Sequence, residues 1–186
     1  MVLVLAITKT ELNGVVVIEP KVFNDNRGWF METYSHADMQ EVGFKDVFTQ
    51  DNHSYSATKG TLRGLHFQND PMAQVKLVRC SNGAIWDVAV DLRKSSPTYK
   101  RWIGVTISSE NRKQLYIPSG FAHGYVTLEN NTEVQYKVDK RYSKDHDRAI
   151  RYDDPDIGIT WQVITPLISE KDTEAPFLKD SDCNFK

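Results

Sequence analysis

The chain has 186 residues, is 40% hydrophobic and carries a formal net charge of −2. This length allows a sizeable core in one domain, and the interleaved charges exclude a basic stripe for nucleic acid or an acidic tail. Two cysteines, Cys80 and Cys183, exclude a disulfide framework and suit a reducing, cytoplasmic compartment. The apolar opening at 1–7 is short and has no basic start, so we expect neither a signal peptide nor a membrane span.

Strands dominate the predicted elements in chain order. The opening run 1–7 predicts a first strand and 14–20 a second, followed by a turn at 25–28 and an aromatic strand. Ser35, with Asp38 three residues later, predicts a capped helix that ends near residue 43. The further predicted strands are 48–52, 61–68, 74–80, 84–92, 102–108, 114–117, 123–128 and 134–138.

Short strands at this spacing, separated by turn sequences and without an internal repeat, are typical of a sandwich or a jelly-roll barrel. We therefore predict one all-β domain over residues 1–186, with a few short helices. After residue 142 the chain reads as a loop-rich tail, in which Ser169-Glu-Lys-Asp can open a last short helix.

The stretch 60–79 mixes ionisable residues into two β-type runs around a turn that contains proline, a pattern that predicts a hairpin. Alternation places His66 on one face and Arg63 on the other, each among apolar residues. Because neither face is purely polar, we predict that one of them lines a polar cavity. A bulge at Gly64 would turn Arg63 toward the cavity of His66, and Lys76 on the second run would join them.

From the residues alone, each catalytic candidate keeps two interpretations. A histidine side chain can take up or release a proton in the physiological pH range, so His66 suits a base, although lone histidines are more often structural. Tyr136 alternates with two valines and points inward, where a core tyrosine is the commoner outcome. Asp172 stands three residues after Ser169, so the N3 position of a capping box already accounts for it.

A metal site is not predicted. A β-barrel that holds a divalent metal usually offers two histidines one residue apart with a carboxylate nearby. Neither His66 nor His123 has such a neighbour, and the remaining histidines fall in polar or loop-like segments.

Several motifs in a fixed order carry a family resemblance. They are DNRGWFME (25–32), RGLHFQ (63–68), KLVR (76–79), DVAVDLR (87–93), SPTY (96–99), IPSGFAHGY (117–125), YK (136–137) and SEKD (169–172). Together they resemble the dTDP-4-dehydrorhamnose 3,5-epimerase family, the dTDP-sugar isomerases of the cupin fold. The resemblance covers nearly the whole chain, and it is more specific for the family than for one substrate.

The resemblance implies a cofactor-independent isomerase of dTDP-rhamnose biosynthesis, a pathway of surface polysaccharides such as O-antigen. Its substrate would be dTDP-4-dehydro-6-deoxyglucose, inverted at C3 and C5 through an enolate to give dTDP-4-dehydrorhamnose. By motif match, His66 is the base and Asp172 the carboxylate that orients it. Tyr136 is the acid on the opposite face, and Lys76 is the cation beside the enolate oxygen. The C4 ketone serves as the electron sink, so no cofactor is needed.

The family's substrate-binding positions also match. Guanidinium groups at Arg27 and Arg63 suit a diphosphate, and Phe23 and Tyr142 are placed like residues that sandwich the base. The resemblance implies a homodimer in which N-terminal strands cross to the partner, although 1–7 and 15–18 could instead complete the chain's own sheet. The matched positions are Phe23, Arg27, Glu32, Gln50, Asn52, Arg63, Lys76, His123, Tyr142, Asp147 and Lys171.

Other functions remain open at this point. Relatives with the same machinery include epimerases that invert only C3 and epimerases of other nucleoside diphosphate 4-keto sugars. A non-catalytic sugar-binding cupin would also explain a polar cavity, but it would not need a base, an orienting carboxylate and an inward phenol together. A metal-dependent cupin enzyme would need ligands that the sequence does not offer.

Overall fold

The computed structural model describes residues 5–186, which form short β-strands and two short helices. The first four residues of the predicted opening strand lie outside the described residues. Helix α1 spans His36–Glu41 and helix α2 spans Glu170–Thr173. The strands are β1 Leu5–Lys9, β2 Val16–Pro20, β3 Val22–Asp25, β4 Gly28–Met31, β5 Gln50–Ser56, β6 Leu62–Gln68, β7 Lys76–Asn82, β8 Ala84–Asp91, β9 Trp102–Ser108, β10 Gln114–Ile117, β11 Phe121–Thr127, β12 Thr132–Val138 and β13 Asp147–Ala149.

Two antiparallel sheets form the body of the fold. The larger has six strands in the order β1-β2-β10-β7-β12-β5, and the smaller has five in the order β13-β6-β11-β8-β9. Strands β3 and β4 form a separate two-stranded hairpin. This arrangement confirms the predicted all-β, cupin-type jelly-roll sandwich. No helix within the described part of the chain is long and apolar enough to cross a membrane.

Apolar side chains fill the space between the sheets. Val78 and Leu115 of the larger sheet share a fully buried cluster with Ile85 and Ile107 of the smaller sheet. Alternation in each strand directs one set of residues into this space. The strands nevertheless read as nearly continuous apolar runs, which indicates that their outer faces are covered as well.

Irregular segments cover the two outer faces. The tail beyond residue 149 packs on the smaller sheet, where the rings of Phe67 and Phe185 lie 5.6 Å apart between centroids. The segment around α1 packs on the larger sheet, where the ring centroids of Phe44 and Tyr116 lie 4.4 Å apart. The predicted loop-rich tail is thus a structural layer of the fold.

The predicted hairpin over 60–79 is wrong. Strand β6 lies in the smaller sheet and β7 in the larger one, so the two runs belong to opposite layers. Residues 69–75 join them, and seven residues easily cover the roughly 10 Å between packed sheets. Alternation could not distinguish the two outcomes, because both strands carry apolar residues on both faces.

Both predicted helix caps are present. The Ser35 hydroxyl accepts the backbone N–H of Asp38 at 3.3 Å, and α1 ends just before Gly43. The Ser169 hydroxyl accepts the backbone N–H of Asp172 at 3.2 Å and opens α2. The short strand β13, which pairs with β6, was not predicted.

A buried carboxylate holds the connection between β8 and β9. Asp91 has no exposed surface and accepts the Arg93 Nη2–H at 2.7 Å, the Ser96 hydroxyl at 2.6 Å and the Thr98 hydroxyl at 2.7 Å. Burial raises the pKa of Asp91, but these hydrogen bonds outweigh that effect and keep the pKa below its usual value. Asp91 and Arg93 of the first motif thus share one structural role with Ser96 and Thr98 of the second.

We expect Asp91→Ala to lower the free energy of unfolding by about 3 kcal/mol, because it leaves the half-buried donors of Arg93, Ser96 and Thr98 without an acceptor. This corresponds to a fall in Tm of roughly 10 °C, measurable by calorimetry. The control is Asp153→Ala, which removes a partly exposed ion pair with Arg151 and should cost less than about 1 kcal/mol. Equal losses in the two variants would contradict the role given to Asp91.

Candidate active site

A cavity of about 640 Å³ opens between the two sheets and has a largely polar lining. Its walls come from β5, β7 and β12 of the larger sheet, from β6, β11 and β13 of the smaller sheet, and from α2. The polar cavity predicted from the sequence is therefore present. The predicted residues that line it are Gln50, Asn52, Arg63, His66, Lys76, His123, Tyr136, Tyr142, Asp147, Lys171 and Asp172.

A bulge in β6 brings Arg63 and His66 to the same cavity. His66 stands opposite His123 and Arg63 opposite Tyr125, so two residues of β6 face one of β11. Gly64, in the bulge, has φ +122°, and a Cβ there would lie 2.6 Å from the Gly124 Cα. Only glycine fits such a position, as the sequence indicated.

His66 is hydrogen-bonded to a carboxylate. Its Nε2 lies 2.6 Å from the Asp172 Oδ1, while the backbone N–H of Gly64 donates to the Asp172 Oδ2 at 3.4 Å. Burial raises the pKa of Asp172, but the His66 hydrogen bond and charge outweigh it, and the pKa lies below the ordinary value. An ionised Asp172 holds the Nε2–H tautomer and leaves the His66 Nδ1 with its lone pair. Asp172 therefore lies at the N3 position of α2, where Ser169 caps its backbone N–H, while its side chain is the partner of the histidine.

Lys76 is the buried cation of the cavity. Its Nζ donates to the backbone carbonyl of His66 at 3.4 Å and forms no ion pair within residues 5–186. Burial lowers the pKa of Lys76 to about 8, and the carboxylates of Asp87 and Asp147 oppose this effect. The ammonium group is thus poorly solvated and faces the same space as His66, so it is suited to a developing negative charge.

Two phenols line the cavity. The Tyr136 hydroxyl makes no hydrogen bond to any described residue, whereas the Tyr125 hydroxyl pairs with that of Ser54 at 2.7 Å. Burial raises the pKa of Tyr136, and the nearby Arg63 guanidinium partly counters this. Burial also raises the pKa of Tyr125, to about 12. Of the two, the Tyr136 hydroxyl is the one left available to a ligand.

The structure contains a second histidine–carboxylate pair, which the sequence did not predict. The His123 Nε2 lies 2.7 Å from the Asp87 Oδ1, and both side chains are buried. Burial lowers the pKa of His123, so the imidazole is neutral at pH 7 and donates to Asp87. A signal was present, because alternation in β8 puts Asp87 on the inward face with Ile85 and Ala89.

Charged and polar side chains surround the cavity mouth. The Lys171 Nζ donates to the Asp147 Oδ2 at 2.8 Å, and the Tyr142 hydroxyl reaches the same oxygen at 3.4 Å. Gln50 donates to the Asn52 Oδ1 at 2.8 Å. These contacts link loop, strand and helix around an opening that suits a polar ligand.

Three predicted binding residues lie outside this cavity. Phe23 is on β3, Arg27 is in the β3–β4 turn and Glu32 follows β4, and all three are exposed. The Arg27 Nη2 pairs with its neighbour Asp25 at 2.6 Å. One chain therefore gathers eleven of the predicted residues but not these three.

The arrangement is suited to proton transfer at carbon. A histidine held by a carboxylate and a free phenol share a cavity with a buried ammonium group, so a carbon acid bound between them can lose one proton and gain another. Within the described residues, no group of three or more His, Cys, Asp or Glu side chains is placed to hold a metal ion.

Comparisons with known proteins agree with this geometry. The family model described as dTDP-4-dehydrorhamnose 3,5-epimerase matches residues 9–180. The protein of that name from Shigella flexneri is 51% identical over 177 residues, which are 95% of this chain and 97% of the relative. A solved structure of the enzyme from Bacillus anthracis, with TDP and PPi bound, has 46% identity and a TM-score of 0.91, and the match covers 93% of this chain and 99% of that one.

A second structure, dTDP-6-deoxy-D-glucose-3,5-epimerase from Legionella pneumophila in complex with dTDP-4-keto-L-rhamnose, has 40% identity and a TM-score of 0.92. The match covers 96% of this chain and 95% of that one. The family model alone spans most of the chain, and the relatives match over nearly their whole length. This chain belongs to the dTDP-4-dehydrorhamnose 3,5-epimerase family.

Proposed function

We propose that this protein inverts C3 and C5 of a dTDP-4-keto-6-deoxy sugar, the reaction that gives dTDP-4-dehydrorhamnose. The observation that carries the proposal is the His66–Asp172 pair in one cavity with the Tyr136 hydroxyl and the Lys76 ammonium group. The relative from Legionella pneumophila supports it, because that protein was solved with dTDP-4-keto-L-rhamnose. The relative from Bacillus anthracis supports a nucleotide site, because it was solved with TDP and PPi.

In this proposal His66 is the base. A proton on C3 or C5 is acidified by the C4 ketone, and the Nδ1 of His66 removes it while the electron pair moves onto the C4 oxygen. The imidazolium that results is stabilised by the ionised Asp172, which also fixes the ring orientation. The His66 side chain is about one-third exposed, which supports its access to a bound ligand.

Lys76 and Tyr136 complete the cycle. The buried ammonium group of Lys76 stabilises the enolate oxygen, an effect on the order of 3 kcal/mol per donor in comparable sites. The Tyr136 hydroxyl then delivers a proton to the opposite face of the carbon, so the configuration inverts. Solvent then takes up the proton from His66 and reprotonates the Tyr136 phenolate before the second carbon is inverted.

The remaining cavity residues are proposed to hold the nucleotide sugar. Arg63 offers a guanidinium group for the diphosphate, and Gln50, Asn52 and Lys171 offer donors near the mouth. His123, held by Asp87, presents its imidazole ring at the cavity wall for a sugar hydroxyl.

Proton exchange in D2O tests the reaction. Purified protein would be incubated with dTDP-4-keto-6-deoxyglucose, and the C3 and C5 protons followed separately by NMR. We expect deuterium at both carbons and the formation of dTDP-4-dehydrorhamnose. Exchange at C3 alone would instead establish a mono-epimerase, and no exchange at either carbon would overturn the proposal.

The Lys76 pKa predicts the alkaline limb of the pH–rate profile. The cation is the form that stabilises the enolate, and it is lost as the pH rises through about 8, so kcat/KM should fall tenfold per pH unit above that value. In Lys76→Arg, residual activity should stay flat to at least pH 9.5, because arginine remains protonated. An unchanged alkaline limb in the variant would contradict this role.

We also propose a homodimer in which the β3–β4 hairpin serves the partner's cavity. The hairpin lies apart from its own cavity and exposes Trp29 and Phe30 by 52% and 65%. Exposed aromatic side chains on a free hairpin suit an interface. Phe23, Arg27 and Glu32 would then reach a ligand in the neighbouring chain.

Complementation between two inactive variants tests this exchange. Arg27→Ala and His66→Ala subunits would be unfolded together, refolded and assayed as a mixture. If the hairpin serves the partner, one site in each mixed dimer is intact, and activity should recover to about a quarter of the native value. Each variant refolded alone is the control, and a mixture no better than these controls would contradict the exchange.

A cytoplasmic location is also inferred. Cys80 and Cys183 are both buried, free thiols, a state that suits a reducing compartment.

A further inference from the structure

Lys76 differs from the ion-paired lysines of the chain. Lys100, Lys137 and Lys171 each have a carboxylate oxygen within 2.8 Å of Nζ. Lys76 has none that close within residues 5–186, and its one side-chain hydrogen bond to those residues, to the His66 carbonyl, is 3.4 Å long. It is also 7% exposed, yet it lines a cavity that is open to ligands.

The surroundings of Lys76 favour the neutral amine more than those of a surface lysine do. Burial is the main cause of its lowered pKa of about 8, and the Asp87 and Asp147 carboxylates act in the opposite direction. The imidazoles of His66 and His123 line the same space. At pH 7.5 the neutral amine is therefore a larger fraction of Lys76 than of an ordinary lysine. A neutral amine beside an accessible cavity is a nucleophile.

We infer that Lys76 is a carbonyl-reactive amine, which forms a reversible imine with a phosphorylated aldehyde or ketone that enters the cavity. The Nζ lone pair attacks the carbonyl carbon to form the C–N bond. Both hydrogens of the neutral amine are lost, the carbonyl oxygen takes up two protons and leaves as water, and a C=N double bond results. Addition of water reverses the step. Arg63 supplies a guanidinium group for the phosphate in the same cavity.

This reactivity is separate from the epimerisation proposed above. The imine requires the neutral amine and a carbonyl carbon within reach, whereas epimerisation uses the ammonium form as a hydrogen-bond donor. A phosphorylated aldehyde would therefore act as a covalent inhibitor of the cavity, and its reaction does not depend on which sugar nucleotide the protein accepts.

Reductive trapping with pyridoxal 5'-phosphate tests the inference. The native protein would be mixed with this aldehyde and sodium cyanoborohydride at pH 7.5, and the modified lysines identified over time by peptide mass spectrometry. We expect Lys76 to be labelled at least tenfold faster than any other lysine. Added dTDP should slow the labelling of Lys76 but not that of exposed lysines.

Two variants provide matched controls. Lys76→Arg should lose the fast label, whereas Lys171→Arg should keep it, because Lys171 lies at the mouth of the same cavity but is ion-paired with Asp147. Labelling of Lys76 in the native protein at the rate of exposed lysines would overturn the inference, even if Lys76→Arg failed to fold. The assay contains no sugar nucleotide, so its result is independent of the epimerase test.

Discussion

Replacing His66 by alanine is expected to lower turnover by on the order of 10³-fold while leaving the affinity for dTDP within about twofold. The variant removes the only base that is backed by Asp172, but it leaves Arg63 and the cavity mouth intact. Turnover would be followed by NMR exchange at C3 and C5, and affinity by calorimetry with dTDP.

A matched control for this variant is His53→Ala. His53 is an exposed histidine on β5 that pairs with Glu133 at 2.9 Å, so it resembles His66 in having a carboxylate partner but lies outside the cavity. It should retain near-native turnover. Comparable turnover in the His66 and His53 variants would refute the base assignment, and loss of dTDP affinity in His66→Ala would indicate a binding role instead.

Replacing Tyr136 by phenylalanine is expected to separate proton exchange from inversion. His66 would still remove the proton, and deuterium picked up by its imidazole would return to the same face of the carbon. Exchange should fall by less than about tenfold, while inversion falls by 10²- to 10⁴-fold, the usual range for loss of a general acid. One NMR time course in D2O reports both rates, since inverted and non-inverted sugars have different couplings.

Tyr125→Phe is the control for this second variant. Its phenol lines the same cavity, but its hydroxyl is already bonded to Ser54, so inversion should stay within about tenfold of native. If Tyr136→Phe instead lost exchange and inversion to the same extent, the phenol would be needed before the proton leaves carbon. The acid assignment would then be wrong.

Local patterns in the sequence predicted the fold class and most of its strands. Runs of β-branched and aromatic residues between turn residues predicted nearly every strand, and both helix caps lie where Ser35 and Ser169 indicated. The glycine at 64 predicted the bulge that brings Arg63 beside His66. These features depend on neighbours along the chain, so the chain alone reports them.

Pairing between distant strands was harder to predict from the sequence. The runs on either side of residues 69–75 belong to different sheets. Alternation did not predict this, because both faces of each strand are covered and the pattern does not identify the strand with which each one pairs. Asp87 was overlooked for a related reason. The role of this carboxylate in an apolar strand is recognised only from its hydrogen bond to His123, 36 residues away.

The sequence by itself determined the all-β class, the family and the residue types needed for proton transfer, since motif order and alternation are local properties. Only the tertiary structure decided which residues meet. Folding joins Asp172 to His66 across 106 residues, buries Lys76 without an ion pair to any residue of 5–186 and leaves Phe23, Arg27 and Glu32 outside the cavity. Distances, burial and the pKa changes that follow from them arise from packing of distant segments, which residue order does not encode locally.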